Sequence, residues 1–220
     1  MKLKATASTS KSSTFVVDGD RLTMGKDNWK FWDWKNGSEK VTIYVTIPDI
    51  KGLDVSGSGD LIAETKITSR DLDLNVSGSG SMTLEADASG MIDADVSGSG
   101  NIELKAKSQD FESRVSGSGK VELTINVADR ATFGLSGSGK VIASGSAQEV
   151  KASISGSGEV RGANLVTDKC DVKISGSGDV EINVNKELDA NISGSGSVTY
   201  KGNPSHVNSH SSGSGKVRKM

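Results

Sequence analysis

The chain of 220 residues holds one cysteine, Cys170, which excludes an intrachain disulfide framework and any zinc site built on paired cysteines. Aromatic residues make up 4% of it and proline occurs twice, so any core must be assembled from small aliphatic side chains. No run approaches the roughly 18 apolar residues of a membrane span. The start, Met1–Ser10, lacks the apolar stretch of about 7–15 residues that a secretory signal needs, and its strand-like alternation reads as a trimmed or mature form. Neither sign of charge dominates. Twenty-six Lys and Arg against 28 Asp and Glu give a net −2, which leaves no footprint for nucleic acid or a polybasic membrane surface. The short basic end, Lys216–Met220, is too small to change that.

What the chain has in excess is glycine, 27 residues, most of it in one tetrapeptide. Ser-Gly-Ser-Gly begins at Ser56, Ser77, Ser97, Ser116, Ser136, Ser155, Ser175, Ser193 and Ser212, at intervals of 18 to 21 residues. In the first eight copies Val, Leu or Ile stands directly before it. A fixed period near 20 is the signature of a solenoid. Around each copy the pattern alternates: Ile92, Ala94, Val96, Ile102 and Leu104 share one parity, and Asp93, Asp95, Ser97, Ser99 and Glu103 the other. Successive side chains of an extended chain point to opposite faces. Carried through the tetrapeptide, this alternation puts the serines outside and both glycines inside.

The expected fold is therefore all-β, a right-handed parallel β-helix of about 20-residue coils stacked about 4.8 Å apart. Length variation falls in stretches such as Ser144–Gln148 and Asn185–Glu187, which read as short turns at a second corner. Cys170 shares the inward parity with Val172 and Ile174 and is expected to be a buried small hydrophobe. Residues 1–49 lack the tetrapeptide and form the expected N-terminal cap region, packed on a solenoid of residues 50–220 within one structural domain. Asp18-Gly19 marks a hairpin there, and Val41, Ile43 and Val45 alternate as a strand. Trp29, Phe31, Trp32 and Trp34 cluster in this region. They serve either as a lid over the first coil or as a platform for a sugar ring or protein surface.

Catalytic constellations are sparse. His206 and His210, four residues apart on a strand, lie roughly 13 Å from each other, too far to share a metal. Fragments such as Gly117–Lys120 lack the full phosphate-loop pattern and its helix. The calcium-binding GGxGxD nonapeptide is not matched. No metal or cofactor is expected. Outward carboxylates (Asp54, Asp60, Asp93, Asp95, Asp171, Asp179, Glu181) leave a polysaccharide-active β-helix enzyme as an alternative. Such enzymes wall their substrate with long loops, which no repeat here carries, so a non-enzyme is expected.

The unit from Val41 to Leu61, with "TIPD", a short basic link and then "VSGSG", resembles the bacterial cell-surface domain "putative auto-transporter adhesin, head GIN domain", a domain of unknown function. The later "DVKISGSGDVEI" and "LDANISGSGSV" resemble it too. The resemblance implies a right-handed β-helical fold, an envelope or extracellular address and, upstream in relatives, an export or lipoprotein signal. It supplies no catalytic residue. Two functions follow as expectations: an adhesin-like surface module that binds a glycan or a host or cell-surface protein, or an envelope element that self-assembles weakly through its solenoid ends.

Overall fold

The structure, a computed structural model, describes residues 2–9, 14–18, 21–25, 39–46 and 50–220. Among these the chain is all strand and turn, without a helix, and forms a β-solenoid of about nine turns. Each coil has a leading arm that runs into the tetrapeptide and a trailing arm that leaves it. Leading arms such as Met91–Gly98 and Asp110–Gly117 pair in parallel, as do trailing arms such as Asn101–Ser108 and Lys120–Val127.

The register through the tetrapeptide never slips. Ser56, Ser77, Ser97, Ser116, Ser136, Ser155, Ser175, Ser193 and Ser212 lie one above the next. From the second copy onward, the second serine donates its N–H to the first glycine carbonyl of the coil before, as in Ser79 to Gly57 at 2.8 Å and Ser118 to Gly98 at 2.9 Å. The residue after the tetrapeptide likewise donates to the second glycine, as in Asn101 to Gly80 at 3.0 Å. The repeat is thus a hydrogen-bonded corner and not a tether.

The serines point outward as expected, but only one glycine of each copy points inward. The second is buried in all but the end copies, where Gly59 and Gly215 are half-buried: a Cβ on Gly100 would stand 2.4 Å from Val76 Cγ1 and 2.8 Å from the Gly80 carbonyl oxygen. The first glycine is exposed or half-exposed, with φ between 85° and 133° across the nine copies. A Cβ there would also strike the glycine carbonyl below, at 2.7 Å for Gly98. A left-handed residue breaks the two-residue alternation, which is why parity alone misplaces it.

Inward columns fill the interior. Val55, Val76, Val96, Val115, Leu135, Ile154, Ile174 and Ile192 form the one that leads into the tetrapeptide, and all are buried. In the two columns before it, residue sizes compensate across two successive coils. Phe111 stands beside Ser113, while in the next coil Ala131 stands beside Phe133. The two rings sit diagonally, centroids 6.3 Å apart and tilted by 58°. Ser113 is fully buried and its hydroxyl has no hydrogen-bond partner. Cys170 lies between Val150 and Leu188, and burial together with Asp171 pushes its thiol far above the ordinary cysteine range.

The second corner differs from the expected short turns. In three successive coils the chain passes through it as one bent strand: Lys140–Gly156, Glu159–Gly176 and Asp179–Gly194. Length differences are absorbed by register shifts at Ile142/Ser144 and Gly162/Val166, and by Gly145 at φ 111°.

At the start of the chain the pairing changes sense. β1 (Lys2–Thr9) runs antiparallel to the trailing arm Asp60–Ala63, with Leu3 buried opposite Ala63. β2 (Thr14–Asp18) and β3 (Arg21–Gly25) form the hairpin marked by Asp18 as a separate two-stranded sheet. β4 (Glu39–Thr46) pairs antiparallel with the other side of β1.

Two substitutions test this packing by chemical denaturation. Gly100→Ala drives a methyl into Val76 and is expected to destabilise by about 1–3 kcal/mol, whereas the exposed neighbour Ser99→Ala stays within about 0.5 kcal/mol. Ser113→Ala removes an unpartnered buried hydroxyl and is expected to be neutral or stabilising by up to about 1 kcal/mol.

Candidate functional site

With a filled interior, binding chemistry falls to the outer faces. On the leading arms two outward columns stand before the serines. One runs Asp73, Asp93, Glu112, Thr132, Lys151, Asp171, Asp189, Asn208, and the other Asn75, Asp95, Arg114, Gly134, Ser153, Lys173, Asn191, His210. Acids crowd the early coils. There the Arg114 guanidinium bridges three carboxylates, reaching Asp93 at 3.0 Å, Asp95 at 3.4 Å and Glu112 at 2.5 Å. Partial burial and the adjacent Asp93 charge hold the Asp95 carboxyl above its ordinary value, and Arg114 only partly offsets them. This cluster is satisfied within itself.

The later coils are different. A shallow, polar groove crosses the same face, lined by Asp171, Lys173, Asp189, Asn191, Asn208 and His210. The Asn208 side-chain amide donates to Asp189 at 2.9 Å, which fixes its orientation. Lys173 is 3.7 Å from Asp171, and Val207, also in the lining, is 40% exposed. Amides, a carboxylate and an imidazole on rigid strands are groups that recognise hydroxyl-rich or peptide surfaces by directional hydrogen bonds. The arrangement has no enclosed pocket and no group of three His, Cys, Asp or Glu able to hold a metal among the described residues.

Of the residues singled out from sequence, Trp29, Phe31, Trp32 and Trp34 lie outside the described residues. Asp171 falls in the groove. Asp179 instead accepts bonds from the Ser197 N–H and hydroxyl on a trailing arm. His206 and His210 face coils below at Glu187 and Asn191, and only His210 lines the groove. Lys173, Asn191 and Asn208 were not singled out. The signal that finds them is their fixed offset, two or four residues before the first outward serine of each repeat.

The family model "Putative auto-transporter adhesin, head GIN domain" matches residues 1–141 and 95–204. The chain belongs to this family. Two solved structures from Parabacteroides distasonis are similar to this head GIN domain. One, a "Putative lipid binding protein", is 25% identical with a TM-score of 0.67; the other, a "putative adhesin", is 21% identical with a TM-score of 0.68. Each comparison covers 94% of this chain and 78% of the other. No curated protein matches the chain. No helix is long and apolar enough to cross a membrane among the described residues.

Ion pairs between coils give the domain a pH signature. Partial burial works against the charged forms of Glu149 and Glu159, but Arg130 and Lys151 beside the first, and Lys140 and Arg161 beside the second, overcome it and hold both below the ordinary 4.5. A lowered folded pKa stabilises above the unfolded value and is lost as pH falls through the folded one. The E149Q/E159Q variant should therefore lose less stability than the parent on acidification from about pH 5 to pH 3. Asp95 has the opposite sign, so D95N should melt higher than the parent at neutral pH, with the advantage gone in acid.

Proposed function

We propose that this head GIN domain is a non-enzymatic, exported cell-surface module of adhesin type that presents a rigid polar face to a glycan or protein partner. The observation that carries the reading is the outer groove of Lys173, Asn191, Asn208 and His210, set on strands locked in register beneath it. Ligand groups placed on such strands need no ordering on binding, which favours recognition of an extended partner. The family description supports the address and the adhesive role. Trp29, Phe31, Trp32 and Trp34 are proposed as a second set of contact residues.

The name of one structural relative refers to lipid. Among the described residues the inward columns are filled along the solenoid by buried aliphatic side chains, which leave an acyl chain no space between them. Any lipid contact would have to be made on an outer face, and the groove there is polar.

A screen of the full chain against immobilised glycans and cell-surface proteins tests the proposal. The expected result is a bound class whose affinity falls at least about tenfold in N191A/H210A, with an unchanged melting temperature. A parallel W29A/W32A/W34A variant should weaken binding while the solenoid stays folded. Collapse of the fold would assign the aromatics to a cap, and binding indifferent to both variants would remove the proposed face.

A further inference from the structure

The charges of the last coil are organised differently from the rest. All 28 Asp and Glu residues precede residue 201, whereas Lys201, Lys216, Arg218 and Lys219 follow without an acidic side chain among them. Between residues 60 and 200 every Lys and Arg except Lys107 has a carboxylate partner within 4 Å. Among the described residues the four last cations have none, and Lys219 makes only a hydrogen bond to Asn203 at 2.5 Å.

Stacking explains why they stay unpaired. Lys216 lies over Ser197, which lies over Asp179; Arg218 lies over Thr199, which lies over Glu181. One hydroxyl-bearing coil therefore separates each cation from the acid in its column, and two coil spacings amount to about 9.6 Å. Asp179 is meanwhile occupied by Ser197. Further along the same face, columns that stack a cation and an acid in adjacent coils do form the pair, as Glu159 over Lys140 shows at 2.7 Å. Lys216 and Arg218 share one face of a strand about 7 Å apart, and Lys201, also exposed, extends the row from the coil below.

We infer that this row is a docking strip for an acidic polysaccharide, whose successive carboxylates or sulfates meet Lys216, Arg218 and Lys201 while Ser197 and Thr199 offer hydroxyls between them. The inference deepens the adhesive reading and rests on it. Charge complementarity sets the sign of the partner, since clustered cations repel one another until an anion covers them. A membrane surface is disfavoured because binding to one draws on buried apolar area in addition to charge, and among the described residues Met220 is the one exposed large apolar side chain that adjoins the row.

The test uses the full chain with polygalacturonate, neutral dextran, polyglutamate and vesicles of mixed phosphatidylglycerol and phosphatidylcholine. Polygalacturonate is expected to bind, to weaken steeply as salt is raised, and to lose at least about tenfold in affinity in K216E/R218E. The control K105E/K107E, on exposed residues of an earlier coil, should leave binding intact. Equal binding of dextran, or indifference to K216E/R218E, overturns the strip. Equal binding of polyglutamate overturns the saccharide assignment, and preferential capture by vesicles makes the partner a membrane instead. If the strip fails while N191A/H210A still abolishes binding of a neutral glycan or a protein, the adhesive reading stands without it.

Discussion

The structure depends on one interlock: the branched side chain before each tetrapeptide lies beneath the second glycine of the coil above. Val76 occupies the space that a Cβ on Gly100 would need, Val96 that of Gly119, and Ile154 that of Gly178. Glycine there lets two backbones close to hydrogen-bonding distance while an aliphatic group seals the space between them. The same corner carries a left-handed first glycine and two ladder hydrogen bonds per coil. Each demand excludes a side chain for a different reason, so the pair of glycines is retained while the residues around it vary. The coil length can then drift, because the second corner accepts bulges that the tetrapeptide cannot.

Much of this is legible in the sequence. The period gives the stacking, the alternation gives the outward serines, and the parity of Cys170 gives its burial. Asp18-Gly19 gives the hairpin. The first glycine is misread because alternation presumes a continuous pleat, and a residue at φ above 80° interrupts it. The continuous strands through Gly145 and Leu165 are misread because a length change looks like a loop when the pairing that bends around it is unknown. The antiparallel seating of β1 on Asp60–Ala63 lies outside any 20-residue period, so no repeat analysis could have placed it.

The candidate site was legible to a lesser degree, for a related reason. Parity tells which residues face outward, but charge pairing is decided by neighbours about 20 positions away as well as by those two along the strand. Asp93 and Asp95 look like an open acidic pair along the chain, yet Arg114 closes it from the next coil. Lys216 and Arg218 look like a minor basic end by count. Only the register, with Ser197 and Thr199 interposed, shows that no acid reaches them. A reading of electrostatics in a solenoid has to be made down columns as well as along strands.

That geometry separates scaffold from specificity. An inward or corner residue touches the coils above and below, so its replacement must be matched in both, as Phe111 with Ser113 and Ala131 with Phe133 illustrate. An outward residue meets its column neighbours only through side-chain tips, and exposed changes of that kind leave stability nearly untouched. Partner chemistry can therefore be rewritten on the outer columns while the interlock stays fixed. A shared fold at 21–25% identity then transmits the coil geometry but not the ligand, and two relatives named for adhesion and for lipid binding can stand on one scaffold. What distinguishes such domains is the order of charges and amides down their outer columns.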